Sequence, residues 1–367
     1  MERDDEMQTT TSDDSRDTEA HETITVRAHA EVVRVATDPG RFSSAASRFL
    51  QVPNGLDGAE HARFRALVDR YFTQEALAPF APRCRSVAKA LVAEVSQGRV
   101  VEAVWEIGAS YAVRAQSAWL GWPGELERPL LDWLTDRFEA IRSGDPVRTA
   151  EVAQRFDALM VSLIEPRRES DGSRDITDQL IHDASAGRPL RDGEIVSILR
   201  NWTGGDLGSI ALAVGVIVHF LATHEGVATH LRQHVTDETL DVYLEEMLRL
   251  DDPFHASRRV ATCEAHLDDR SIQAGQRVVL DWRSANRDPN VFSPPDGFSP
   301  GVNAAGNVVY GIGPHVCPGR PLARLELREL VRALLSTTSR IDLAGESARE
   351  QPPLGGFRSV PIQLVAR

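Results

Sequence analysis

Lysine is almost missing from this chain. Lys89 is the only one among 367 residues, so nearly all positive charge is guanidinium. Genome composition alone produces such a bias, and no function follows from it. Cysteine is equally sparse: Cys84, Cys263 and Cys317 lie far apart with no CxxC pair. That excludes a disulfide framework and a paired-cysteine zinc site, and predicts a reducing, cytoplasmic setting. No apolar run is long enough to span a bilayer. The most apolar stretch, Ile210 to Ala222 (IALAVGVIVHFLA), has Asp206 just before it and His219 within it, which predicts a buried central helix and no membrane. Basic charge is outnumbered, giving a net charge of -13 that excludes nucleic acid as the partner, although an acidic chain still has room for a local basic patch. The opening MERDDEMQTTTSDDSRDTEAHE is acidic and has no apolar core. It predicts a disordered tail over residues 1–22 rather than a signal peptide or anchor.

What is present reads as one mainly α domain with a minor β part over residues 23–367, because no internal period or long linker divides it. Apolar spacing predicts helices over Ala30–Ala36, His61–Tyr71, Ala81–Ser96, Ala109–Leu120, Leu126–Arg142, Pro146–Arg167, Ile176–Ala184, Asp192–Thr223, Asp237–Leu250 and Pro321–Thr337. Strand patterns fall at Thr23–Arg27, Arg259–Thr262, Arg277–Asp281 and Val360–Val365. A long coil, Asn286–Val309, rich in Pro, Gly, Asn and Asp, lies before the last helix, and coils of that length are usually functional.

The coil leads into YGIGPHVCPGR, Tyr310 to Arg320, which places Cys317 in a glycine-rich loop at the mouth of a helix. Backbone N–H groups and the positive helix end stabilise a thiolate there, which is what a metal ligand requires. Taken alone, a single cysteine reads as a buried structural residue. Its context points the other way.

The loop resembles the heme-binding signature of the cytochrome P450 superfamily, with Tyr310, Gly311, Gly313, His315, Cys317 and Gly319 in the signature places and Tyr where Phe is usual. Further segments are similar to that family in order. DVYLEEMLRL carries an E-x-x-R pair, Glu246 and Arg249; EHARFR resembles an H-x-x-x-R element with His61 and Arg65; RRVAT points to Arg259; SANRDPNVF and PIQLVAR match later stretches. The resemblance covers about residues 24–367 and implies the cytochrome P450 fold, shortened at its N-terminus. It also implies heme b (iron protoporphyrin IX) with Cys317 on the iron, and His61, Arg65, Arg259 and His315 toward the propionates. The loop glycines let the backbone pass close to the porphyrin.

Three departures stand out. In the central helix, Thr203-Gly204-Gly205-Asp206-Leu207-Gly208 aligns so that Asp206 keeps the family's acid while Gly208 takes the place of its alcohol; Ser209 follows, rotated by about 100°. Ser209 is expected to substitute only if the helix bulges. Gly297 stands where an arginine commonly completes the E-x-x-R pair, so Glu246 and Arg249 must find other partners, such as coil carbonyls. The segment preceding the first helix is short, and so is Phe42–Glu60, which implies a thin lid.

The resemblance implies a soluble, bacterial-type monooxygenase that activates dioxygen to oxidise a small organic substrate. With no dinucleotide fingerprint or cysteine cluster in the sequence, its electrons are expected from a ferredoxin and ferredoxin reductase or a similar donor. Glycine at 208 leaves open a relay through water held by Asp206 or Ser209, a relay through a substrate hydroxyl, and peroxide-driven or non-oxygenating chemistry. From another class, a heme-binding sensor or non-catalytic scaffold also fits.

Overall fold

The computed structural model describes residues 23–47, 49–95, 98–172, 174–267 and 270–367; the expected acidic tail over residues 1–22 lies outside them. The helices are α1 His29–Thr37, α2 Gly58–Asp69, α3 Gln74–Leu77, α4 Ala81–Val95, α5 Ser110–Leu120, α6 Glu127–Ser143, α7 Pro146–Ile164, α8 Ile176–Ile181, α9 Asp192–Thr223, α10 Glu225–Gln233, α11 Asp237–Leu250, α12 Trp282–Ala285 and α13 Arg320–Thr337. The strands are β1 Ile24–Val26, β2 Phe42–Ser43, β3 Val100–Glu102, β4 Ala256–Ala261, β5 Ala265–Leu267, β6 Arg270–Ile272, β7 Arg277–Asp281, β8 Thr338–Leu343, β9 Ala348–Arg349, β10 Phe357–Ser359 and β11 Pro361–Ala366.

The central helix α9 positions everything else. It is apolar on almost every side, from Ile195 through Leu199, Leu207 and Ile210 to Leu221, and a helix with no polar face belongs in a core. It is also long and apolar enough to cross a membrane, but 67% of its apolar stretch is buried inside the protein. Each of those side chains contributes roughly 1.5–3 kcal/mol on burial, so the surrounding helices are held to α9 far more strongly than to solvent. Against it packs a π-helical segment, Ala103–Ala109, which leads into α5. Gly108 permits that approach: a Cβ there would lie 2.7 Å from the Ala211 carbonyl oxygen.

Four strands form one sheet in the order β1-β7-β4-β2, with β1 parallel to β7 and the other pairs antiparallel. The short ITVR piece therefore serves as an edge strand, with Val26 opposite Leu280. A second sheet, β3-β11-β8, closes over the C-terminal end. Two apolar clusters result: a large one around α9, α5, α4 and α13, and a smaller one in which Val32, Val35 and Phe42 pack with Leu280 and Trp282. Of the pieces missed in the sequence, α3, α12 and the two- and three-residue strands are too short to carry a period, whereas α10 and β8 are not.

Candidate active site

Cys317 sits in the turn just before α13, its N–H donating to the Tyr310 carbonyl at 2.8 Å. Burial pushes its thiol up, while the Gly319 N–H, the Arg65 charge and the Arg320 N–H act to lower it. The loop needs glycine at 313, where φ is +78° and a Cβ would come within 2.9 Å of the Ala36 carbonyl oxygen. Gly311 also has positive φ, and a Cβ on Gly319 would fit at 3.8 Å from the Cys317 Sγ. The other two cysteines are differently placed: Cys84 is buried against the Tyr111 hydroxyl at 3.1 Å, and Cys263 is exposed.

Helix α11 ties the loop down. Arg249 is fully buried and uses all five N–H donors: two to the Glu246 carboxylate at 2.8 and 2.9 Å, and three to the carbonyls of Asn286, Pro295 and Gly297. The carbonyl of Gly297 thus takes one of the bonds that the coil supplies where the family commonly has an arginine. Glu246 accepts further bonds from Ser299 N and Asn303 Nδ2. Its neighbour Glu245 clamps Arg320 and Arg324 at the start of α13. A desolvated pair of this kind is stable only because every lone pair and proton is answered.

On the other side of the loop, four basic residues converge. His61 on α2 packs against His315, ring centroids 4.1 Å apart with the planes tilted by 40°, and His315 Nε2 lies 3.3 Å from Asp57 Oδ1. Burial, with the positive charges of His61 and Arg259, pushes His315 down to about 4; burial and then Arg65 push His61 down. Arg65 donates to the Pro314 and Val316 carbonyls and to Asp69. Arg259 on β4 is only 7% exposed, and its one hydrogen bond among the described residues goes to the Arg258 carbonyl, with no carboxylate in ion-pair reach. Burial lowers its pKa, with Asp57 alone acting in opposition. A buried guanidinium beside two histidines held neutral leaves positive potential that one carboxylate, Asp57, does not answer. Two propionates would.

The middle of α9 supplies a third set. Gly205 is exposed in the middle of a mostly buried helix, with nothing within 4 Å of a Cβ built on it. One turn on, Ser209 Oγ donates to the Gly205 carbonyl at 2.5 Å. The surroundings of Gly208, the residue expected in the alcohol's place, differ from those of Ser209. A Cβ on Gly208 would lie 3.0 Å from Arg137 Nη1 and 3.4 Å from the Phe138 ring, so that position faces α6. Ser209 lies only about 40° round the helix from Gly205 and stands on the open face, and no bulge is needed, since α9 is continuous α-helix.

Asp206 faces Glu326 of α13. Asp206 Oδ2 and both Glu326 oxygens are buried without any hydrogen-bond donor among the described residues, so only a shared proton joins the two carboxyls. Burial pushes Asp206 up to about 7, and burial together with the Asp206 charge pushes Glu326 well above the usual carboxylate range. The charge of Asp206 also acts on Cys317, raising its thiol.

Glu326, Asp57 and Arg137 were not singled out in the sequence. Two of them carry a signal there. Glu326 falls on the Leu322, Leu330, Ala333 stripe, and Arg137 on the Leu130, Leu134, Ile141 stripe, so each is a charge on an apolar helical face.

An enclosed thiol at a helix mouth, a cradle short of anions and an open helix face with its own acid are together what a heme-thiolate oxidoreductase requires. The comparisons with known proteins agree. The cytochrome P450 family profile matches residues 140–341, more than half of the chain, and the chain belongs to that family. It is 28% identical over 358 residues to cyclomarin C epoxidase CymV of Salinispora arenicola, covering 92% of this chain and 89% of that one. To the erythromycin C-12 hydroxylase of Saccharopolyspora erythraea it is 27% identical over 354 residues, covering 91% and 87%. Its fold superposes on the open cytochrome P450 Eryk from S. erythraea with a TM-score of 0.85 at 24% identity, over 96% of this chain and 94% of that chain. The cofactor is heme b, which when bound supplies the oxygen-activating redox chemistry. The chain is a cytochrome P450 monooxygenase.

Proposed function

We propose that this enzyme oxygenates a small organic molecule, by hydroxylation or a related oxidation of secondary metabolism or catabolism, in the cytoplasm and as one folded unit over residues 23–367. Cys317 is the iron ligand. His61, Arg65, Arg259 and His315 hold the propionates, and Glu246 with Arg249 keeps the coil and loop in place. Ser209 Oγ at the open face of α9 and the Asp206–Glu326 pair on its α13 side hold and pass protons. Electrons come from a ferredoxin and its reductase or a similar separate donor.

The observation that carries this reading is the Cys317 thiol at the mouth of α13, next to a cluster of His61, His315 and buried Arg259 whose positive charge a single carboxylate does not answer. Ser209 on the open face supports turnover with dioxygen, since an alcohol is available there without Gly208. The test is the reduced carbonyl spectrum. The purified protein should show the red-shifted Soret band of thiolate ligation, and Cys317→Ser should lose it while Cys84→Ser and Cys263→Ser keep it. A Cys317→Ser variant that retained the band would overturn the assignment.

A further inference from the structure

Arginine in this protein is generally paired. Arg142 on α6 meets Glu350, Arg200 meets Asp157 across to α7, and Arg167 meets Asp175. The chain has 54 acidic residues against 41 basic ones, so partners are plentiful. Arg137, on the inner face of α6, has none. Among the described residues it makes no hydrogen bond and no ion pair, although it lies deep within the protein. What surrounds it is apolar or bare: its guanidinium lies 5.7 Å from the Trp133 ring, and Cβ atoms built on Gly204 and Gly208 would lie 3.9 and 3.0 Å from its terminal nitrogens. Burial alone pushes its pKa down to about 10, and no carboxylate acts on it.

A guanidinium removed from water without a counter-charge is strongly unfavourable, so a persistent one implies an anion that arrives from outside the chain. Arg137 is enclosed and yet only partly buried by surface area, so it fronts an interior space rather than solid packing. That space adjoins the open face of α9, since Gly205, with nothing near it, follows Gly204 directly. The heme propionates do not account for it. Their cradle is on α2, β4 and the cysteine loop, whereas α6 packs on α7 and α5.

We propose that Arg137 binds a carboxylate carried by the substrate, in the space between α6 and the Gly204–Gly208 stretch of α9. A single guanidinium with no second cation beside it matches a singly charged, planar, bidentate carboxylate better than a phosphate dianion. Glycines at 204 and 208 leave room for that group, and Trp133, Leu134 and Phe138 provide an apolar wall for the body of the substrate. The substrate class is therefore an apolar organic acid, and the inference rests on the reading of the chain as a substrate-oxidising cytochrome P450.

The test uses heme-loaded enzyme that has passed the carbonyl assay. Fatty, arylacetic and steroid-derived carboxylates are each titrated beside their methyl esters, reading the spin-state shift and, independently, binding by equilibrium dialysis. Acids that fit should bind about 10- to 100-fold more tightly than their esters, the worth of a charge-assisted hydrogen bond. Arg137→Gln should remove that preference by weakening the acids alone, and Arg137→Lys should restore part of it. Without ligand, Arg137→Met should raise Tm, because it removes an unpaired buried charge. If no acid in the panel outbinds its ester in the native enzyme, or if Arg137→Gln weakens acid and ester equally, the proposal fails. A chain that fails the carbonyl assay fails the underlying reading instead, so the two failures are distinguishable.

Discussion

Replacing Glu326 by Gln tests whether the two buried carboxyls share a proton. In the native enzyme Asp206 is pushed from 3.8 up to about 7 by burial, and the neighbouring acid Glu326 is itself pushed up by burial and by the charge of Asp206. A displacement of about three pH units corresponds to roughly 4 kcal/mol between the two protonation states. The sign follows from proton counting. Between about pH 4 and pH 7 the folded protein holds a proton that the unfolded chain has released, so stability falls as pH rises through that window. Below it both states are protonated and the penalty vanishes; above it the penalty is complete. Glu326→Gln removes the second raised acid while its amide keeps a hydrogen-bond donor on Asp206, so the decline in stability should shrink by at least about 1.4 kcal/mol. Urea unfolding of the heme-loaded variant at several pH values measures this. If Asp206 is a proton donor in turnover, Glu326→Gln and Asp206→Asn should also shift the limb of the kcat profile near neutrality, and Asp206→Asn should slow turnover by about 10² to 10⁴. A stability slope and a rate profile both unchanged in Glu326→Gln would refute the shared proton.

Two further outcomes follow from the site. Gly208→Thr should not improve coupling of reductant to product, because its side chain would meet Arg137 on the α6 side; Ser209→Ala should impair coupling, and the reverse pair of results in product-per-electron measurements would restore the alignment with Gly208 as the alcohol's place. Arg249→Met should destabilise the enzyme by about 3–5 kcal/mol and speed heme loss, since it leaves Glu246 buried and three coil carbonyls without a donor; unchanged Tm and heme off-rate would show that the coil holds itself.

The long elements were legible from sequence because burial imposes a period. Asp192–Thr223 and Asp237–Leu250 were readable to the residue, since each buries apolar side chains along its whole length. The cysteine loop was legible for another reason: glycine at 311 and 313 answers a backbone requirement that no other residue meets cheaply. What the sequence left hidden is the rotational phase of α9. Matching Asp206 to an acid and Gly208 to an alcohol by counting along a pattern assigns faces by position in a string. The helix assigns them by packing: α6 covers Gly208, α13 covers Asp206, and the remaining face, at Gly205 and Ser209, is left open. An apolar helix with no polar stripe gives a reader nothing from which to fix that phase, because every rotation buries similar area. Only the charged residues on the partner helices fix it. Glu326 on α13 and Arg137 on α6 are both charges on otherwise apolar faces, and each faces α9 at one of the positions in doubt. The phase of the catalytic helix was therefore encoded outside that helix, in two neighbours whose burial makes no sense for packing alone.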